Sequence, residues 1–357
     1  MIKVVIVIFL FFIIPTMTLA SICERPTSIR ENLQEQLGLP CDKVEIADLV
    51  RIKTLIVPNS ANFLASLKKA DLAGLTSLTY LSLADDGAYY FTIEPGTFDE
   101  MPDLRVLDLA HCHLTHIDEG LFKNQTKLEV LDLSENTIAD LPGGTFDTLI
   151  NLKYLSLEVS GNVSAENNFL KNLNNVSIAN LTFSGNAKIP EDFFIGLNLL
   201  ESLNILINSS EPLPSSLGLN SDKLKSLYIR SNKALTLGFD FFKKIPNLES
   251  LRVDMHEAAV TLLSGAFDNT VKLTEVLLEY CYITNIPDNL FSPLKNLSFL
   301  VLSHNNIISV GATTFSPENF SKNAKVYFDS NPLTQEAKDL LNTQLGDRVI
   351  MDRRKMY

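Results

Sequence analysis

Apolar positions along this chain recur in a nine-residue phrase: an apolar residue, two variable ones, L-x-L, two more variable ones, then Asn or Cys. Leu104 to Cys112 and Leu128 to Asn136 are the clearest copies. Others open at Ile52, Leu78, Leu152, Ile178, Leu200, Leu224, Leu248, Leu273 and Leu297, with a degenerate last copy around Val326, Phe328 and Asn331. The result is about twelve units spaced 22 to 26 residues apart. Side chains alternate across a strand, so L-x-L sends both leucines inward and the residue between them outward. Each unit is therefore expected to form one short strand, stacked in parallel on the next at about 4.8 Å. The closing Asn (Asn136, Asn186, Asn232, Asn305, Asn331) is expected to turn inward, where its amide satisfies buried backbone groups beyond the ladder. Cys112 and Cys281 take the same place as small residues stable in burial.

A second apolar set recurs on the return path: Ile117, Ile138, Ile283 and Ile307, then Phe98, Phe122, Phe146, Phe194, Phe242, Phe267, Phe291 and Phe315. At one per repeat, the phenylalanines read as a core spine and not as a ligand channel. The fold class that follows is an α/β repeat solenoid, with a parallel β-sheet on the concave face and irregular or short helical convex segments.

The first twenty residues have a different pattern. Lys3, the apolar run Val4 to Ile14 and the small-residue site Thr18-Leu19-Ala20 predict a secretory signal peptide cleaved after Ala20. An eleven-residue apolar run is too short for a membrane span, which needs about twenty. No later run approaches that length, and the charged end Asp352 to Tyr357 excludes a lipid-replaced tail. The chain carries 30 basic and 42 acidic residues, a net charge of -12. Such a balance disfavours nucleic acid and anionic membrane as partners and suits a solvated, extended surface.

Over residues 49 to 331 the chain resembles the extracellular type of leucine-rich-repeat protein, which implies a leucine-rich-repeat horseshoe. Residues 21–50 add Ile22-Cys23-Glu24-Arg25-Pro26, a helical pattern opened by Ser28 with Glu31 and carrying Ile29, Leu33 and Leu37, a stop at Gly38, and then Cys41. This segment resembles the N-terminal helical cap of exported bacterial leucine-rich-repeat proteins. It departs from the animal pattern, in which four-cysteine clusters flank the repeats. The resemblance implies a Cys23–Cys41 disulfide stapling the cap, which stabilises by about 3 kcal/mol for a loop of that size. Cys112 and Cys281 stand seven repeat steps apart, roughly 30 Å, and are expected to be buried thiols. Thr334 to Leu345 reads as a closing helix with Glu336 in its first turn and Leu340, Leu341 and Leu345 on its apolar side. The expected layout is a leader over 1–20, a helical cap over 21–50, the solenoid over 51–331 and a terminal cap and tail over 332–357.

One cluster invites a metal reading, His111-Cys112-His113-Leu114-Thr115-His116. The repeat register sends Cys112 and Leu114 inward, His111 to the sheet edge and His113 and His116 to a loop, so the donors diverge where a closed zinc site needs four that converge. No catalytic constellation and no phosphate-binding loop stand out, so the chain is expected to be no enzyme and to hold no cofactor or metal. Seven N-x-S/T sequons occur, at Asn124, Asn162, Asn175, Asn180, Asn208, Asn296 and Asn319. Asn180 and Asn208 fall in strand phrases, Asn208 at the inward position, which argues against their glycosylation.

Function is therefore expected on the outward strand positions. The N-terminal half offers an acidic strip, Asp85, Asp108, Asp132, Glu135 and Glu158, whose simplest role is solvation. The later units present Tyr228, Arg230, Arg252, Asp254, Glu275, Leu277, Glu279, Tyr280, Phe299, Val301 and Tyr327. Aromatic and Arg side chains of this kind are enriched in interface hot spots. The expected function is recognition or adhesion, binding a protein or glycan outside the cytoplasm on the concave face. A structural scaffold of the envelope or matrix, and an inhibitor or regulator of an extracellular enzyme, are the other classes this pattern admits.

Overall fold

The computed structural model describes residues 21–57, 66–83, 91–139, 141–161, 168–214 and 217–352. The leader, Asp85, the sequon at Asn162 and the last five residues lie outside the described residues.

Among the described residues one parallel sheet of thirteen strands runs from the first repeat to the C-terminal end. Its strands are β1 (Thr54–Ile56), β2 (Tyr80–Ser82), β3 (Val106–Asp108), β4 (Val130–Ile138), β5 (Tyr154–Val159), β6 (Ile178–Gly185) and β7 (Ser202–Ser209). They continue as β8 (Ser226–Ser231), β9 (Ser250–Met255), β10 (Glu275–Glu279), β11 (Phe299–Val301), β12 (Lys325–Tyr327) and β13 (Val349–Ile350). Each unit places one strand beside the next, with neighbours in sequence as neighbours in space. The L-x-L leucines point inward as expected: Leu107, Leu109, Leu131, Leu133, Leu155 and Leu157 are all buried. The chain is thus a parallel β-sheet solenoid with few helices. All eight anticipated phenylalanines are fully buried, and ring centroids of successive units lie 5.2 to 6.3 Å apart from Phe98 through Phe122, Phe146 and Phe169 to Phe193.

The turn leaving the sheet has two forms. In one, the residue before the closing Asn or Cys is left-handed: His111 (φ 55°), Glu135 (φ 53°), Tyr280 (φ 56°), His304 (φ 55°) and Ser330 (φ 61°). That twist swings the next side chain inward. Asn136 then donates to the carbonyls of Leu109 (2.9 Å) and Leu133 (3.0 Å) and accepts from the Leu114 amide (2.9 Å). Asn305 repeats the pattern on Leu278, Leu302, Cys281 and Ile283, and Asn331 on Leu302, Phe328 and Ile307.

The second form corrects part of the sequence reading. From β5 to β9 the strands are six to eight residues long. Alternation simply continues past L-x-L, so Val159, Phe183, Ile207, Ser231 and Met255 take the next inward site. Ser209 and Ser231 are buried, with Ser209 Oγ donating to Ala187 O at 2.6 Å. Asn208 is consequently exposed and Asn232 half-buried, not inward. Asn186 follows left-handed Gly185 (φ 63°) yet is exposed, because it lies two residues beyond the position that aligns with Asn136. The sixth unit opens at Val176, not Ile178. Ile178 pairs with Tyr154 and Ser202 and is 42% exposed, while Val176, Ala179 and Leu181 take the inward positions.

At the N-terminal end a helix spans Thr27–Leu37 and stops at left-handed Gly38. Its N-cap is Pro26 without a side-chain cap, so Ser28 lies inside the helix and the expected Ser28–Glu31 capping box does not form. Ile29 and Leu33 are buried, and Asn32 and Gln36 donate to the β1 carbonyls of Ile56 (2.7 Å) and Thr54 (2.9 Å), covering the first strand's edge. Cys23 and Cys41 form a disulfide with Cα atoms 5.1 Å apart. At the other end Thr334 caps the helix Gln335–Leu345 by accepting from the Ala337 amide, and Leu341 and Leu345 are buried while Leu340 is half-exposed. Beyond it lies an element the sequence pattern did not suggest, β13, which pairs with Val326 and Tyr327 and occupies the last strand's edge.

Candidate functional site on the concave sheet

The register sets the outward side chains in lines that run across the strands. Tyr228, Arg252, Leu277, Val301 and Tyr327 lie side by side on β8 to β12. Arg230, Asp254 and Glu279 form a parallel line on β8 to β10, and Glu275 adjoins Phe299 on β10 and β11. The anticipated outward residues of the later units are thus adjacent. Val301 needs a correction, because its side chain faces the concave side but is only 8% exposed between Leu277 and Tyr327. It offers little surface. Tyr280 lies at the sheet margin, 53% exposed, with its ring stacked on His304 at 4.3 Å and an interplanar angle of 10°. His304 was not anticipated, because only the left-handed turn brings that position beside Tyr280.

Three of these residues are joined in a network. The Arg252 guanidinium lies 5.1 Å from the Tyr228 ring centre and donates to Asp254 at 2.9 Å, while the Tyr228 hydroxyl donates to the same carboxylate oxygen at 2.8 Å. Burial pushes the Tyr228 phenol above its usual value and the Asp254 bond pushes it further. Its own hydrogen bond to Asp254 raises Arg252. The phenol is therefore neutral and the guanidinium charged through the neutral range. It is a preorganised aromatic and cationic surface, which lowers the ordering cost of binding.

The acidic strip differs. Asp108 accepts from the Ala110 amide (3.1 Å) and Ser82 Oγ (2.9 Å), and Asp132 from the Ser134 amide (2.9 Å) and Oγ (2.6 Å). These aspartates satisfy nearby amide and serine groups of the sheet itself. Glu158 is pushed above the usual carboxylate range by burial and then by the charge of Glu135. Between the two zones an amide line runs from Asn204 to Asn180 (2.6 Å) and from Asn180 to the Tyr154 hydroxyl (2.9 Å).

In the histidine cluster, Cys112 Sγ faces the carbonyl of Leu83 at 3.2 Å inside the core, while His116 bonds Asp118 at 3.1 Å on the surface. Cys281 is likewise a buried thiol, held on Val253 O at 3.1 Å and pushed well above its ordinary value by burial. Among the described residues no group of three or more His, Cys, Asp or Glu converges as metal ligands, and no helix is long and apolar enough to cross a membrane.

Comparisons with known proteins agree with this architecture. The family described as Leucine rich repeat matches residues 102–160, and that described as BspA type Leucine rich repeat region (6 copies) matches residues 213–332. An internalin from Listeria monocytogenes is 18% identical, with a TM-score of 0.65 over 95% of this chain and 93% of its own. A leucine-rich-repeat protein of Leptospira interrogans is 18% identical at a TM-score of 0.55, over 85% of this chain and 91% of its own. The Drosophila Toll–Spätzle complex is 20% identical at a TM-score of 0.54, over 80% of this chain and 41% of the matched one. No curated protein matches the chain in sequence. The repeat phrase, the thirteen-strand parallel sheet and these matches together make the chain a leucine-rich-repeat solenoid.

Proposed function

We propose that this chain is an exported, non-catalytic recognition module that binds another protein on the concave face of units eight to twelve. The observation carrying this reading is the continuous line of Tyr228, Arg252, Leu277 and Tyr327 flanked by Phe299, with Tyr228 and Arg252 already fixed on Asp254. Aromatic and Arg groups, held rigid and outside the core, are the groups that dominate binding energy at protein interfaces. The Toll–Spätzle complex gives a solenoid of related fold that is engaged with another protein. Export is supported by the leader pattern and by the Cys23–Cys41 bridge, which suits an oxidising compartment. In the proposed layout, residues 21–50 and 332–352 cap the two ends of the repeat array.

The test is capture from the extracellular protein fraction of the source on immobilised chain 21–357, beside the same chain carrying Tyr228→Ala and Phe299→Ala. Retention of a discrete protein by the parent and its loss from the variant is expected. A species retained equally by both, or a glycan retained in place of a protein, contradicts the reading.

A further inference from the structure

Where β7, β8 and β9 leave the sheet there is a recess of about 440 Å³, lined by Leu206, Asn208, Arg230, Asn232, His256 and Glu257 among others. Its volume is in the range of small-ligand sites. Two groups in it are chemically incomplete. Arg230 pairs in register with Asp254, yet that carboxylate is already held by Arg252 at 2.9 Å and by the Tyr228 hydroxyl at 2.8 Å. On its other side Arg230 meets Leu206. Among the described residues no ion pair involves Arg230, and Glu257, in the same wall, lies 3.9 Å from His256. The second group is Asn232. Its Nδ2 donates to Asn208 Oδ1 (3.0 Å) and Ser209 O (3.2 Å), but its Oδ1 is buried with no hydrogen-bond partner.

A buried acceptor without a donor costs on the order of 1–3 kcal/mol. An Arg fork without a carboxylate is a ready planar donor for one. The ligand that completes both groups has a carboxylate and, a few bonds away, an N–H donor, with a short apolar link to lie on Leu206. An acidic residue in a polypeptide has all three. We propose that this recess is the subsite that takes an aspartate or glutamate of the protein partner. The proposal rests on the concave face being a protein-binding surface and names the partner chemistry read at one end of it.

The experiment uses chain 21–357 produced without glycosylation, so that the exposed sequon at Asn208 is bare. Saturation-transfer NMR would follow N-acetyl-aspartate N-methylamide, its asparagine counterpart and glucuronate as probes. The aspartate probe is expected to saturate in the millimolar range. The asparagine probe should bind at least about ten-fold more weakly, because it cannot form the charge-assisted pair. Arg230→Gln should abolish the difference, Arg230→Lys should restore part of it, and the distant Arg105→Gln should leave it unchanged, with circular dichroism identical throughout. Equal binding of the two amino-acid probes, or an unchanged aspartate signal in Arg230→Gln, overturns the proposal. Saturation by glucuronate alone also overturns it, in favour of an acidic sugar. Each of those results leaves capture through Tyr228 and Phe299 as it was, so this subsite and the wider protein-binding reading fail separately.

Discussion

An asparagine stabilises this fold where it stands at its unit's closing position and the residue before it is left-handed. Asn305 follows His304 (φ 55°) and serves the amides of Cys281 and Ile283 and the carbonyls of Leu278 and Leu302. Asn305→Ala leaves several of these buried groups without partners and should cost about 3 kcal/mol, read as a lower urea midpoint. Asn186→Ala, on an exposed side chain, should change stability by no more than about 0.5 kcal/mol. Equal costs would contradict the buried bonding role of Asn305. The sequence reveals the Asn but not the twist that aims it, and that is why Asn208 and Asn232 read as inward; Asn186 reads so because its unit opens two residues earlier than the phrase suggests. The same limit applies to the sixth unit, where bulky Ile178 and Phe183 mimic the phrase more strongly than Val176 and Ala179, which actually fill it. At Glu158 the raised pKa has a definite sign. The folded state disfavours the charged form, so the penalty is present at neutral pH and vanishes as pH falls below the usual Glu value. Glu158→Gln should therefore raise Tm at pH 7 and leave it nearly unchanged at pH 4; a larger gain at pH 4 would contradict the burial account.

At the scale of elements, the repeats depend on one another and on what covers the two ends. Stacked units bury their apolar faces only against neighbours, and an uncovered terminal strand invites pairing with another chain. Cys23→Ser should cost about 3 kcal/mol, consistent with the closure of an 18-residue separation. Truncation after Leu345 removes β13 and bares the Val326–Tyr327 edge, so it should lower Tm and bring aggregation in light scattering. A truncated chain that stays monomeric with an unchanged Tm would show that β13 covers nothing of consequence. Strands and the Phe spine were readable in the sequence because each is a repeated, period-setting feature. A two-residue strand such as β13 has no L-x-L, and the Thr27–Leu37 helix starts after Pro26 without the expected Ser28 cap, so neither detail could be read from a pattern.

At the scale of the whole molecule, the concave face divides into an N-terminal part whose aspartates bond amide and serine groups of the sheet and a C-terminal part whose aromatic and Arg groups form a rigid surface. Alternation in L-x-L was enough to place Tyr228, Arg252 and Phe299 on that face, since register follows from the repeat. The Tyr228–Arg252–Asp254 network, the coverage of Val301 and the recess at Arg230 depend on how side chains reach across strands, which no linear pattern encodes. Truncating a hot-spot anchor commonly costs about 2 kcal/mol or more, whereas a rim carboxylate mainly changes association rate and its salt dependence. The central claim is tested most directly by quantitative mass spectrometry of what the folded chain captures from the extracellular protein fraction. The measurement compares Tyr228→Ala, Arg252→Ala and Phe299→Ala with Asp108→Ala and Asp132→Ala. The account predicts loss of the captured protein in each of the first three and retention near the parent level in the two aspartate variants; loss confined to the aspartate variants, or in none of the five, would contradict it.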